Sequence, residues 1–160
     1  MKIACLTTLL VFCATASAMV ATVPPTTLVA QADLILVART VDRQPRAGRV
    51  RHRLAPMELL KGLWPLDRIL EIDTLPPSFE DAALLPPPCR RVVLFLKAGD
   101  DGKPRLLHGR QGAWPVDSDG RLLGFGTGLR LEDLVRMIEE ERRANHARTT
   151  RPHQQRSSQP

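Results

Sequence analysis

Prolines and glycines interrupt this chain so often that its apolar segments stay short, and this spacing limits the folds open to it. The 160 residues contain 14 prolines and 10 glycines. Helix interiors exclude proline and disfavour glycine, whereas the turns between strands use both. Short apolar segments cut at such intervals are typical of an all-β sheet or barrel. We therefore predict a mainly β domain with only two helices, one at each end.

The strand patterns support this prediction. Residues 33–41 are expected to form a strand. Its residues 34–38 are all apolar, so both faces are apolar there, as in a central strand. In residues 50–54, Val50, His52 and Leu54 alternate with two arginines, which predicts a half-buried strand with a basic outer face. Pro56, which follows, suits a bulge or an edge position. Residues 68–74 alternate apolar and acidic positions, which predicts a strand with one wet side.

Helical patterns occur at the two ends of the domain. Residues 25–32 form a short helix in this interpretation. Near the other end, Leu131, Leu134, Val135 and Ile138 fall at i, i+3, i+4 and i+7, which gives one apolar stripe. This second helix is expected to cover the sheet or one of its open edges.

The first residues of the chain resemble a secretory signal. Lys2 gives the positive start, an apolar run follows, and residues 16–18 read Ala-Ser-Ala, an A-x-A cleavage site. The prediction is an exported bacterial protein, periplasmic or secreted, that does not span the membrane after signal removal. Its divisions are a signal peptide at 1–18, a single β-rich domain at 19–141 and a disordered basic tail at 142–160.

Charge is unevenly distributed along the exported chain. Residues 19–141 hold 17 of the 23 basic residues and all 17 acidic residues, so this domain is neutral. The high pI comes from residues 142–160, where five arginines occur without a carboxylate. A tail of that composition favours weak binding to an anionic surface.

Catalytic and metal-binding patterns are absent from the sequence or weak. Lys61 precedes a glycine and lacks the glycine-rich loop of a phosphate site, so it is interpreted as part of a turn. The one nucleophile arrangement is Cys89 with His108 and Asp117, and Cys89 carries no flanking signature. The “DSDG” of residues 117–120 lacks the later ligands of a calcium loop, and the four histidines are scattered. No catalytic residue, metal or cofactor is assigned.

The candidate partner contacts are two tryptophans and the single cysteine that follows the signal. Trp64 and Trp114 each precede a proline, and such a tryptophan either anchors a partner or caps the apolar end of a barrel. Cys89 either links two molecules or is a buried small apolar residue. Nucleic acid is not expected as a partner, because tyrosine is absent and few aromatic side chains are left to stack bases.

Four motifs also carry a resemblance: “ADLILVART” at 32–40, “LKG” at 60–62, “VLFLK” at 93–97 and “GAWPVD” at 112–117. In this order they resemble a loose group of small exported bacterial proteins of unknown function, over most of residues 26–140. That group is distantly similar to oligonucleotide-binding (OB) barrels and netrin-like inhibitor domains. The resemblance implies a small OB-like or netrin-like antiparallel β-barrel with a short N-terminal helix and a C-terminal amphipathic helix. Netrin-like metalloprotease inhibitors use an N-terminal cysteine and several disulfides, which this exported chain lacks, so their activity is not carried over.

These observations favour a non-catalytic binding or envelope-interaction module, whose partner is an unidentified protein or envelope component. Two alternatives stay open. One is a small thiol-dependent hydrolase that uses Cys89. The other is adhesion to an anionic glycolipid surface through the basic tail and the arginine-rich hairpin, whose arginines lie at positions 39, 43, 46, 49, 51 and 53.

Overall fold

The structure is a computed structural model that describes residues 21–76, 85–87 and 90–149. It is mainly β, as the proline and glycine spacing predicts, with one helix before the sheet and one after it. The elements in chain order are α1 (Pro25–Gln31), β1 (Leu34–Arg46), β2 (Arg49–Lys61), β3 (Leu70–Thr74), β4 (Arg91–Ala98), β5 (Pro104–Leu106), β6 (Ala113–Val116) and α2 (Leu131–Thr149).

The six strands form one antiparallel sheet in the order β3-β2-β1-β4-β5, and β6 also pairs with β4. The predicted central strand is confirmed, because β1 lies between β2 and β4 and residues 34–38 are all buried. Two strands share the second edge of β4: β5 pairs with residues 96–98 and β6 with residues 91–94. The sheet therefore ends in two short strands on one side and in β3 on the other.

The implied OB-like or netrin-like barrel is not what the structure shows. Strands β3 and β5 come close to each other, but no backbone pairing joins them within the part of the chain that the structure describes, and the sheet stays open. The two edge strands are short, five residues in β3 and three in β5. Pro104 in β5 has no backbone N–H to donate across such a gap. Short and charged edges of this kind oppose closure.

Of the two positions predicted for Pro56, a bulge or an edge, the structure shows a bulge. Val37 pairs with Glu58 and Ala38 pairs with Pro56, so Met57 is an extra residue on β2. The extra residue bends β2 and increases the local twist.

Apolar side chains form two layers, one on each face of the sheet. The helix layer joins the sheet to α1 and α2, with Ile35 and Phe95 from the strands and Leu134 and Ile138 from α2. The second layer, on the opposite face, contains Leu34, Leu36, Ala38, Leu54, Leu70, Ile72, Leu85, Val92, Leu94, Leu96 and Ala113. Because β1 and β4 are buried on both faces, both layers depend on them.

Helix α2 follows the predicted apolar stripe, with Leu134 and Ile138 buried, and it packs on the sheet face beside α1. It continues beyond residue 141 to Thr149, so residues 142–149 of the predicted tail are helical. The extra turns are supported by an ion pair between Glu139 and Arg143 at 3.7 Å, and by basic residues that suit the helix C-terminus. Residues 150–160 lie outside the described part. No helix in the described ranges is long and apolar enough to cross a membrane.

Candidate functional site

A cleft of about 850 Å³ lies between β3 and β5, and we call it the basic cleft. Outward-facing side chains of β2 and β3 line one side, and the β4–β5 turn with β5 lines the other. Trp64 and Arg68, from the loop between β2 and β3, also line it. Among the described residues, its charged side chains are six cations and three carboxylates: Arg49, Arg51, Arg53, Arg68, Lys103 and Arg105 with Glu71, Asp73 and Asp101.

A two-bond ion pair lies on the β2–β3 side of the basic cleft. Arg51 donates through Nε to Asp73 Oδ1 at 2.8 Å and through Nη2 to Asp73 Oδ2 at 3.0 Å. Glu71 accepts from Arg51 Nη1 at 3.4 Å, and it lies 3.8 Å from Arg53 Nε. These pairs are cross-strand neighbours on the wet face that the alternation of β2 and β3 predicts. Both carboxylates of β3 are therefore already engaged by arginines of β2.

The electrostatic field around Asp73 is positive. The hydrogen bonds from Arg51 hold the pKa of the Asp73 carboxyl below its usual value, and the charges of Arg51, Arg46 and Arg49 lower this pKa further. The same pair raises the pKa of Arg51. An aspartate with a lowered pKa is a weak proton acceptor, so this pair is suited to holding charge rather than to acid–base catalysis.

The other cations of the basic cleft are less engaged. Arg49 and Lys103 form no ion pair within the described residues. Arg105 lies 3.4 Å from Asp101 in an exposed pair, which is worth little because water screens it. The Arg68 guanidinium lies over the Trp64 ring, 5.4 Å from its centroid. The cleft thus presents an excess of cationic donors to any ligand that enters it.

The two tryptophans differ in burial although both precede a proline. Trp64 is half-buried at the cleft and donates its Nε1 to the Arg68 carbonyl at 3.2 Å. Trp114 is 0% exposed, donates its Nε1 to the Gln111 carbonyl at 2.7 Å and stacks near Phe95 with centroids 4.5 Å apart. Trp114 is therefore a core residue and is not available as a partner contact, which corrects that candidate.

The described members of the proposed nucleophile arrangement have other roles. His108 Nε2 lies 2.7 Å from Gln31 Oε1, and its backbone has the left-handed φ of 51° at the start of a short 3-10 turn. Asp117 Oδ1 accepts from the backbone N–H groups of Asp119 and Arg121, at 2.9 and 2.8 Å. Cys89 lies outside the described residues. The structure gives no hydrogen bond between His108 and Asp117.

Metal ligands are not gathered anywhere in the described ranges: no group of three or more His, Asp or Glu side chains there could hold an ion. The “DSDG” of residues 117–120 is a turn, which Asp117 closes and in which Gly120 has a φ of 77°. Lys61 belongs to a structural contact. Its Nζ donates to the Val29 carbonyl at 2.7 Å, at the C-terminal end of α1, so the ammonium group is engaged in a structural hydrogen bond.

One polar feature that the sequence analysis did not predict lies behind the basic cleft, on the inward face of β2. His52 is 2% exposed, and its Nε2 lies 2.9 Å from Thr74 Oγ1. Burial, and to a lesser extent the charge of Arg43, lower the pKa of His52 to about 4, while Asp73 opposes this shift. The alternation in residues 50–54 did place His52 on the inward face, but it did not identify Thr74 as the partner.

The sequence was compared with models of known protein families, and no family model matches it. A search of curated proteins found no significant match either.

Proposed function

We propose that this protein is an exported, non-catalytic binding module that holds an anionic ligand in the basic cleft. The observation that carries the proposal is the local excess of positive charge: the described residues place six cations and three carboxylates around one cleft of about 850 Å³. The 19–141 domain as a whole is neutral, so this excess is a local arrangement. Clefts lined by one sign of charge concentrate ligands of the opposite sign. Export to the periplasm or medium is proposed from the signal pattern at 1–18.

The lining groups support binding over catalysis. Arginine stays protonated at physiological pH and cannot act as a general base. The two carboxylates of β3 are held by Arg51 and Arg53, and the lowered pKa of Asp73 makes it a poor base. The arginine guanidinium groups can donate several hydrogen bonds at once to a carboxylate or a phosphate. Among the described residues, Trp64 is the one aromatic residue that lines the cleft, which disfavours single-stranded nucleic acid that needs successive stacking platforms.

The test uses the exported chain, residues 19–160, with a short polyglutamate peptide as the probe at low salt. We expect saturable quenching of Trp64 fluorescence, with an affinity that falls as salt rises. Trp64→Phe should abolish the signal and leave binding measurable by calorimetry, because the other indole, Trp114, is buried in the core.

A charge-reversal pair locates the site. Arg49→Glu with Arg105→Glu should weaken polyglutamate binding at least about tenfold, since both cations line the cleft. The matched control is Arg142→Glu with Arg148→Glu, which changes net charge equally on the exposed surface of α2 and should bind like wild type. Equal losses in both variants, or no binding of polyglutamate to the wild type, would refute the basic cleft as the site.

Adhesion to anionic glycolipid is a second candidate, and one observation favours it. Arg39, Arg43 and Arg46 are exposed on the β1–β2 hairpin and form no ion pair within the described residues. If this hairpin holds the protein on a membrane, Arg43→Glu with Arg46→Glu should abolish binding to phosphatidylglycerol vesicles while polyglutamate binding persists. Unchanged vesicle binding in that variant would exclude the hairpin.

The third candidate, a thiol-dependent hydrolase, gains no support from the geometry, because His108 and Asp117 have partners of their own. It is tested directly by Cys89→Ser. A binding module keeps its affinity for polyglutamate in that variant, and an ester- or thioester-cleaving activity lost in it would favour the hydrolase.

A further inference from the structure

The loop between β2 and β3 presents apolar side chains to solvent beside the basic cleft. We call residues 62–67, Gly-Leu-Trp-Pro-Leu-Asp, the apolar loop. Leu63 is 94% exposed, the highest value among the large apolar side chains of the described residues, and Leu66 is 47% exposed. Pro65, between them, is exposed as well. A single exposed apolar side chain is common on protein surfaces, but several on one short loop are typical of an interaction site.

Contacts of the apolar loop with itself and with the sheet fix its conformation. Gly62 has a φ of 86°, and a Cβ at this position would clash with a backbone carbonyl at the α1–β1 junction. The Arg68 N–H donates to the Pro65 carbonyl at 3.2 Å and closes a turn. Trp64 donates its Nε1 to the Arg68 carbonyl at 3.2 Å and packs against the second apolar layer. The backbone thus holds the two leucines of the loop away from the core.

The apolar loop lies next to cations. Trp64 lines the basic cleft, and the Arg68 guanidinium, which also lines it, lies 5.4 Å from the centroid of the indole ring. Arg49 and Lys103 line the same cleft and form no ion pair in the described part of the chain. Asp67 is the one carboxylate of the loop. Apolar side chains flanked by a tryptophan and by basic residues are typical of segments that bind at a membrane surface.

We propose that the anionic ligand of the basic cleft is the headgroup of a membrane phospholipid, and that the apolar loop inserts Leu63 and Leu66 into the hydrocarbon beside it. This inference rests on the proposed function, since it names the chemical class of the ligand for the same cleft. A bilayer is favoured over an acidic polypeptide or polysaccharide because it places hydrocarbon directly beneath a layer of negative charge, which matches cations flanked by an apolar loop. The contact differs from adhesion through the β1–β2 hairpin, since it uses the loop that follows β2.

A pair of polar substitutions tests the insertion without changing charge. The exported chain, residues 19–160, contains every described residue, and its sedimentation with vesicles of phosphatidylglycerol and phosphatidylcholine measures binding. Leu63→Gln with Leu66→Gln should weaken vesicle binding at least about tenfold, because the contact with hydrocarbon is lost. The matched control is Met57→Gln with Leu123→Gln, which alters two exposed apolar side chains outside the cleft lining and should bind like wild type. Equal vesicle binding by the loop variant and wild type would overturn the insertion.

A second measurement, on the unaltered protein, holds even if the loop variant fails to fold. Phospholipids brominated on the acyl chain close to the headgroup quench an indole that reaches them. We expect the emission of bound wild type to be lower in brominated vesicles than in unbrominated ones, and Trp64→Phe to show no such difference, because Trp114 is buried in the core. Equal emission of wild type in the two kinds of vesicle would overturn the proposal.

Polyglutamate separates a failure of this inference from a failure of the proposed function. The loop variant should bind polyglutamate like wild type, since it keeps every cation of the basic cleft. Wild type that binds polyglutamate but not the anionic vesicles would overturn the membrane inference and leave the cleft as an anion site. Wild type that does not bind polyglutamate would refute the proposed function itself. Vesicle binding that persists in the loop variant and is lost in Arg43→Glu with Arg46→Glu would assign the membrane contact to the hairpin instead.

Discussion

Protonation of His52 is expected to weaken folding at mildly acid pH. The imidazole is 2% exposed, its Nε2 bonds to Thr74 Oγ1, and its Nδ1 has no hydrogen-bond partner in the described part of the chain. A charged ring would have to keep both nitrogens protonated in this apolar surrounding, beside the positive charge of Arg43. Burial and that charge lower the pKa of His52 from 6.5 to about 4, and Asp73 offsets only part of the effect.

The direction of the pH effect follows from proton counting. Between pH 6.5 and about 4 the unfolded chain binds a proton at His52 that the folded chain does not. The free energy of unfolding therefore keeps the full contribution of neutral His52 above pH 6.5 and loses it as pH falls toward 4. The two pKa values, 6.5 and about 4, correspond to a loss on the order of 3 kcal/mol. The contribution of Asp73, whose pKa is lowered, is lost only at still lower pH.

The assay compares wild type with His52→Gln, which keeps a polar group in reach of Thr74 and does not titrate. Urea unfolding of both proteins is measured from about pH 7 to about pH 4.5. The stability of wild type relative to the variant should fall across this range by roughly 2–3 kcal/mol. Titrations elsewhere, including that of Asp73, occur in both proteins and cancel in the difference. A difference in stability that stays constant with pH would refute the buried, neutral state of His52.

Two further predictions concern contacts that hold the helix layer. Lys61→Met removes the donor to the C-terminal carbonyls of α1 and should lower the free energy of unfolding by about 1 kcal/mol. The control is Lys97→Met, at an exposed position, which should leave the free energy of unfolding unchanged. Equal effects of the two variants in urea unfolding would contradict the capping role of Lys61. Gly126→Ala places a Cβ 2.7 Å from Trp114 Cε3 and 2.8 Å from Leu122 Cβ, so it should cost about 1–3 kcal/mol and alter the near-ultraviolet circular dichroism of Trp114. Wild-type stability in this variant would show that the packing can relax.

Local patterns predicted the faces of the strands correctly because burial in a sheet alternates with a period of two residues. The inward positions 50, 52 and 54 and the outward acidic positions of β3 are placed as expected. The pairing of Arg51 with Asp73 was not predictable in the same way. It depends on the register between β2 and β3, which the intervening loop sets and which no local period encodes.

The two Trp-Pro pairs show that the same local sequence can be buried at one position and partly exposed at another. Trp114 and Trp64 have the same next residue, yet one is fully buried and the other borders the basic cleft. The difference is tertiary: Trp114 lies on β6, which pairs with β4 and meets the helix layer, while Trp64 lies in a loop after β2. The open sheet has a similar origin. Whether β3 and β5 join depends on strand length and tilt together, which short apolar segments do not reveal.

The net charge of the chain does not predict the basic cleft either, because the distribution of charges over the surface depends on the fold. The 19–141 domain has equal numbers of basic and acidic residues, which by itself predicts no anionic partner. The fold separates these charges. The acidic residues Glu132, Glu139 and Glu140 are exposed on α2, which packs against the helix layer, whereas the cationic excess lies around the cleft between β3 and β5. A ligand near the cleft is influenced most by charges within a Debye length, about 10 Å at moderate salt. The arrangement of the strands, more than the composition of the chain, thus produces the local cationic excess on which we base the proposed anion site.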